Sequence, residues 1–155
     1  MACIETVDFD RFKEVQTNVS EIVGEGQKNE RNDVMLIQTL FKLIGFSDTA
    51  SKNRFGLLMK DLPEPTGVYN EKTTRAIWGF QQKMAHRLRN IDGKVHPASY
   101  KNRVLKKGAH APQMMITLLN FFASDEALMA NHHDLISAIK KTSPSIIFDC
   151  KASPI

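Results

Sequence analysis

The sequence lacks any uninterrupted apolar run of about 18 residues, the length that a membrane-spanning helix requires. Its first residues carry three carboxylates, Glu5, Asp8 and Asp10, where a secretory signal has a basic start and an apolar stretch. We therefore expect no membrane span and no Sec signal. The protein would be made in the cytoplasm in soluble form, and reaching the periplasm or cell wall would need a non-Sec route.

Cysteine is nearly absent, with Cys3 and Cys150 close to opposite ends of the sequence. A disulfide framework or a structural metal site draws on clustered ligands, and this spacing supplies none. We interpret both cysteines as free thiols and expect neither a bound metal nor a cofactor.

Charge of one sign dominates only slightly, with a net charge of +4 and an isoelectric point of about 9.1. This excess favours approach to anionic polymers by long-range attraction. The basic residues are scattered along the chain and are not interleaved with aromatic residues, so we expect no nucleic-acid partner. Hydrophobic residues make up 42% and charged residues 25%, as in an ordinary globular protein of one domain or of one domain with an appendage.

Apolar residues first recur at clear helical spacing after residue 33, and Gly45 is a plausible end of that helix. Asn32 and Asp33 are good candidates for its N-cap. Its primary face comprises Val34, Ile37, Phe41 and Ile44, and a second apolar row comprises Leu36, Leu40 and Leu43. Because one buried face cannot hold both rows, we expect helices from the C-terminal part of the chain to cover the second.

Two further helix starts follow in the middle of the sequence, after a connector over residues 47–65. One helix begins near Asn70, with an inner face that contains Ile77 and Phe80. The other begins after Asp92-Gly93, with Pro97 at its first helical position.

The two ends of the sequence are predicted separately. The apolar residues of segment 1–22 fit one helical face, with short strands as the alternative. In the C-terminal part, an apolar stretch over residues 112–123 precedes Ser124-Asp125-Glu126, which is typical of the cap and first turn of a new helix. Ser143-Pro144 would end that helix.

Three stretches of the sequence, in the same order, resemble the peptidoglycan-binding domain family, a three-helix module found in many cell-wall hydrolases. Residues 33–46 (DVMLIQTLFKLIGF) are similar to its first helix motif. Residues 66–81 (TGVYNEKTTRAIWGFQ) resemble its Asp-Gly loop and second helix, with Thr66 and Asn70 in place of the usual Asp and Gly. Residues 91–100 (IDGKVHPASY) are similar to its second Asp-Gly loop. The loop VGEGQKN also resembles one branch of the family, with Gln27 replacing a glycine.

The resemblance implies an all-α fold with a peptidoglycan-binding-domain-like three-helix core over residues 23–108, an N-terminal extension over 1–22 and a C-terminal helical extension over 109–155. It also implies a non-catalytic module that recognises the glycan or stem peptide of the bacterial cell wall. The alternative is a protein–protein adaptor or cargo component of a phage-like or type VI secretion apparatus. Its interface would use the second apolar row and the Met- and Phe-rich segment 113–122.

Four residues are candidate ligand contacts. Trp78 lies between inward-facing positions where the family usually has a polar residue; it offers either an exposed platform for a sugar ring or, as the commoner outcome, a side chain that packs under the C-terminal helices. Tyr69, Asn70 and Arg75 cluster at the start of the second helix, where N–H groups and a cation could receive carboxylates, although Tyr69 occupies a position that is commonly core.

Other polar residues have more ordinary explanations. Gln38 and Gln81 are expected to bond backbone groups of neighbouring loops. His132 and His133 point about 100° apart on a helix and lack a third ligand, so we interpret them as solvated surface and not as a metal site. We find no catalytic constellation, and a hydrolase is the least favoured class.

Overall fold

The computed structural model describes residues 2–9, 12–47, 62–99, 104–105 and 113–148, and in this part of the chain helices and strands occur together. The expected all-α fold is therefore wrong: the protein is a mixed α/β structure in which helices dominate. The elements are β1 (Ala2–Phe9), β2 (Phe12–Val19), β3 (Val23–Gly24), α1 (Arg31–Ser47), α2 (Glu71–Lys83), a short 3-10 helix (Ala85–Arg87), β4 (Lys94–Val95), β5 (Val104–Leu105), α3 (Met115–Met129) and α4 (Leu135–Thr142).

The N-terminal segment forms a β-hairpin. Strands β1 and β2 pair antiparallel from Ala2 opposite Val19 to Phe9 opposite Phe12, and β5 adds in parallel to the other edge of β1. Of the two conformations compatible with its spacing, the strand is the one adopted. The hairpin is rich in β-branched residues, which favour the pleated conformation over a helix.

Helix α1 is confirmed, with different ends from those predicted. It begins at Arg31, where the Glu30 carboxylate accepts a hydrogen bond from the Asp33 amide, and it continues through Gly45 to Ser47. The predicted caps Asn32 and Asp33 thus lie inside the first turn. The Asp33 carboxylate accepts hydrogen bonds from the amides of Ser20 and Glu21, which joins the end of the hairpin to the start of the helix.

Helix α1 lies at the centre of the core and packs against both α3 and α4. Both of its apolar rows are buried, as expected if the C-terminal helices cover the second one. The hydrophobic core also includes residues of the hairpin and of α2. None of the helices in the described ranges is long and apolar enough to cross a membrane.

The single C-terminal helix predicted from Ser124 to Ser143 is wrong in its start and in its continuity, because residues 130–134 separate two helices. Ser124-Asp125-Glu126 does not start a helix, because α3 runs without interruption from the apolar stretch to Met129. The next helix, α4, starts at Leu135 with Asp134 as its N-cap, and the Asp134 carboxylate accepts a hydrogen bond of 2.7 Å from the Ser137 amide. Its end at Ser143 is as predicted.

The helix predicted to begin at Pro97 is absent from the described residues. After β4 the chain remains irregular as far as Ser99. The Asn18 side chain holds this segment, because its amide oxygen accepts a hydrogen bond from Ala98 N and its amide nitrogen donates to Ala98 O. An amide side chain thereby offers Ala98 the same donor and acceptor as a neighbouring strand.

Cys3 corrects the prediction of free thiols. It is disulfide-bonded, and the sequence contains only one other cysteine, Cys150, which lies outside the described residues. A parallel bridge between Ala2 and Phe148 already brings the two ends of the chain together. The prediction of free thiols rested on the separation of the two cysteines in the sequence. That separation does not prevent a disulfide bond once the chain is folded.

Candidate ligand-binding site

The loop before α2 is attached to α1 by one buried amide. The Gln38 side-chain oxygen accepts a hydrogen bond of 2.9 Å from Gly67 N, and its nitrogen donates to Val68 O at 2.9 Å. Gly67 has a φ of 80°, which disfavours any residue with a side chain. The expected role of Gln38 is confirmed.

The loop after α2 repeats this arrangement. The Gln81 oxygen accepts a hydrogen bond of 2.7 Å from Gly93 N, and its nitrogen donates to Lys94 O at 2.9 Å. Gly93 also has a positive φ, of 72°. Helices α1 and α2 thus each bond the Gly-containing loop that follows them through a buried glutamine. The expected role of Gln81 is confirmed as well.

The loop that follows the hairpin joins the same region. The Asn29 side chain closes it, because its oxygen accepts a hydrogen bond from Gly24 N and its nitrogen donates to Gly24 O. Strand β3 then pairs with β4, with Val23 opposite Val95. The VGEGQKN loop and the third motif, far apart in sequence, therefore lie side by side.

A cleft of about 620 Å³ opens beside these two loops, and we call it the motif-loop cleft. One wall comes from the end of the hairpin and the loop after it, and the other from the segment around His96, with Met114 at one margin. Its surface mixes apolar side chains, amides and both signs of charge. The lining residues are Ser20, Glu21, Ile22, Gln27, Lys28, Asn90, His96, Pro97 and Met114.

Trp78 lies against the loop that forms one wall of this cleft. A Cβ atom added to Gly93 would lie 2.5 Å from Cε2 of the indole, so the ring rests directly on the glycine backbone. The side chain nevertheless leaves the residue 38% exposed. With this exposure Trp78 is not fully buried under the C-terminal helices, and part of its ring is open to solvent beside the loop.

The other three predicted contacts already have partners inside the protein. Asn70 is the N-cap of α2 and accepts a hydrogen bond of 3.0 Å from Thr73 N. Arg75 pairs with Glu71 at 2.7 Å, and the Tyr69 hydroxyl is 2.6 Å from the Thr74 hydroxyl.

Burial raises the pKa of Tyr69, which packs partly against the core. The structure therefore gives these three residues intramolecular roles at the start of α2.

An ion pair orders the loop between Trp78 and the cleft. His96 Nε2 lies 2.6 Å from Asp92 Oδ2, and the Lys94 amide donates to Asp92 Oδ1 at 3.0 Å. Partial burial acts to raise the pKa of Asp92, but the hydrogen bonds from His96 and Lys94 outweigh it and hold the pKa below its ordinary value of 3.8.

The lowered pKa of Asp92 predicts a pH-dependent contribution to stability. A carboxyl group with a lower pKa in the folded state stabilises the fold above its unfolded pKa, and this stabilisation is lost as the pH falls through the folded pKa. We expect the difference in free energy of unfolding between wild type and Asp92→Asn to shrink from about pH 5 to about pH 3. Urea titrations across this range measure it. A difference that stays constant would show that the ionised carboxylate contributes nothing.

His132 and His133 lie in the segment between α3 and α4. Among the described residues, no group of three His, Cys, Asp or Glu side chains is placed to hold a metal ion. Asp134, which follows the pair in sequence, is occupied as the helix N-cap.

Comparison of the chain with protein-family models, with curated proteins and with solved structures finds no match. Function must therefore be argued from the cleft itself.

The sequence does not predict most of the residues that line the cleft. Only the general region is indicated, by the Gly-containing loops VGEGQKN and IDGKVHPASY. Lys28, Asn90 and Met114 come together through the pairing of β3 with β4 and the position of α3. A two-residue strand leaves too short a pattern in the sequence to be recognised.

Proposed function

We propose that this protein is a non-catalytic module that binds bacterial peptidoglycan in the motif-loop cleft, with Trp78 as an aromatic platform beside it. The observation that carries the proposal is the convergence of the motif loops. The segments that resemble the peptidoglycan-binding domain family are held next to one another by Gln38, Gln81 and the β3–β4 pair, and a cleft forms at their junction.

The chemistry of the cleft suits a glycopeptide polymer. Gln27 and Asn90 provide amides, each with a donor and an acceptor for acetamido and peptide groups. Ile22, Pro97 and Met114 provide apolar surface for the carbon skeleton. The exposed part of the Trp78 ring is a suitable surface for a sugar ring.

The arrangement of the nearest candidate nucleophile supports a role without catalysis. Ser20 and His96 both line the cleft, but His96 contacts Asp92 through Nε2, whereas the histidine of a hydrolytic triad bonds its aspartate through Nδ1 and keeps Nε2 for the serine. The Ser20 hydroxyl also donates its hydrogen bond to Asp33 Oδ2 at 3.0 Å. A serine nucleophile would instead donate to the histidine that activates it.

Binding to insoluble peptidoglycan sacculi, at low and at moderate salt, tests the proposal. We expect salt-resistant binding by the wild type and an affinity about 2- to 10-fold lower for Trp78→Ala, on the basis of about 0.5–1.5 kcal/mol for an aromatic contact. Asn90→Ala should also weaken binding, because it removes an amide from the cleft. Met129→Ala is the matched control, since it truncates an exposed apolar side chain far along α3.

Three outcomes would contradict the proposed function. Binding that disappears at moderate salt would indicate charge attraction alone, given the net charge of +4. Equal binding by the wild type and both site variants would contradict the assignment of the cleft as the binding site. Release of soluble muropeptides by the purified protein would contradict the absence of catalysis.

The adaptor alternative loses the surfaces that suggested it. Leu36, Leu40 and most of segment 113–122 are buried within the chain and are not available to a partner. One observation favours it: Leu128 and Met129, at the end of α3, are 61% and 73% exposed. Loss of a protein partner on Met129→Ala, with no binding to sacculi, would support this alternative.

A further inference from the structure

A second cavity, of about 490 Å³, lies between α1, the end of α3 and the end of α4. Three of its described lining residues are basic, Lys42, His132 and Lys141, and none of the described ones carries a carboxylate. We propose that this cavity, here called the α3-end cavity, binds a small organic oxyanion, meaning a carboxylate or phosphate group attached to a short apolar group.

The balance of charge favours an anion. Lys42 Nζ forms an ion pair of 3.1 Å with Glu64, at a largely exposed position. Lys141 and His132 make no ion pair with any residue in the described ranges. Among the described residues, Lys141 is therefore a cation without an acidic partner, and an oxyanion would supply the missing charge.

The turn after α3 fixes one wall of the α3-end cavity. Asn131 has a φ of 63°, its amide donates to Leu128 O at 3.1 Å, and the His132 amide donates to Ala127 O at 2.9 Å. This is the Schellman arrangement that ends many helices. These two N–H groups are already hydrogen-bonded within the turn. A ligand would therefore bind to the side chains of Asn131, His132 and the lysines.

The remaining wall is apolar. Leu43 lines the cavity, and the methylene stems of Lys42 and Lys141 add hydrocarbon surface below their charged ends. A ligand with an apolar group next to its anionic group would contact both kinds of surface. Inorganic phosphate alone would use only the charges, so we expect it to bind more weakly.

The α3-end cavity is separate from the motif-loop cleft. Met114 lines the cleft just before α3, and Ala130 lines this cavity just after it. The intervening helix of 15 residues is about 22 Å long at about 1.5 Å per residue. One small ligand cannot occupy both, so this inference does not depend on the proposed function.

Nuclear magnetic resonance titrations of the full chain with N-acetylalanine and with phenyl phosphate test the proposal. We expect saturable shifts of the amides of residues 130–132 and 141–142 with at least one probe. Lys141→Gln should weaken binding about tenfold, as for loss of a hydrogen bond to a charged group, and His132→Gln should weaken it as well. Lys140→Gln is the matched control, because it removes the same charge from the same helix outside the cavity lining.

Each outcome decides the proposal. Tighter binding of N-acetylalanine identifies a carboxylate ligand, and tighter binding of phenyl phosphate identifies a phosphate ligand. Absence of saturable binding by both probes would overturn the proposal. An equal loss in Lys140→Gln and Lys141→Gln would also overturn it, because general surface charge would then account for the attraction.

Discussion

Replacement of Phe80 by alanine is expected to lower the free energy of unfolding by about 3–5 kcal/mol. Phe80 is fully buried in α2, and its ring makes edge-on contacts with Phe41 of α1 at 6.1 Å and with Phe122 of α3 at 6.2 Å between centroids. Truncation leaves a cavity where three helices meet and removes both aromatic contacts. Denaturant unfolding followed by circular dichroism measures the loss.

Trp78→Ala is the control for Phe80→Ala. It removes a larger aromatic side chain from the same helix, two residues away, at a position that is partly open to solvent. We expect a clearly smaller loss of stability, since less of its surface is buried. Similar losses for the two variants would contradict the placement of Phe80 at the centre of the core.

Asn120→Ala is expected to lower the free energy of unfolding by about 3–5 kcal/mol, because it leaves buried backbone groups without partners at about 1–3 kcal/mol each. The Asn120 oxygen accepts hydrogen bonds of 2.8 Å from Thr17 N and from the Thr17 hydroxyl. Its nitrogen donates to Thr17 O at 2.9 Å and to Ile116 O at 2.7 Å. Thr17 and Asn120 are both buried.

The effect of Asn120→Ala arises at the edge of a sheet. Strand β2 lies at the edge of the three-stranded sheet, so its outward N–H and C=O groups have no neighbouring strand. The Asn120 amide takes the place of that strand at Thr17. Asn90→Ala, at an exposed loop position, is the control and should change stability by less than about 0.5 kcal/mol. A loss below about 1 kcal/mol in Asn120→Ala would show that water satisfies Thr17 equally well.

The elements that the sequence predicted correctly are those whose signals are local. The 3.6-residue periodicity is sufficient for α1 and α2, and Asn70 caps α2 through a residue only three positions away. The roles of Gln38 and Gln81 followed from the motifs that contain them. In each case the determining residues lie within one helix or in the Gly loop that follows it.

The features that the sequence did not predict depend on distant residues. Asn18 holds Ala98 in place of a predicted helix, across 80 positions of the sequence. The interruption expected at Ser124 fails because the apolar faces of α3 before and after it enter the same core. The motif-loop cleft exists only once β3 has paired with β4. Local propensity cannot register such contacts, and tertiary packing overrides it.

The order of strands in the sheet has a consequence for biosynthesis. Strand β1 has the Phe9 end of its outer edge covered by β5, whose pairing joins Asp8 to Val104, nearly a hundred residues later. At ribosomal rates of about 5–20 residues per second, that edge stays unpaired for roughly 5–20 s while the rest of the chain is made. The nascent hairpin therefore passes through a period in which it can pair with other chains, and folding factors acting on the ribosome would protect it during that time.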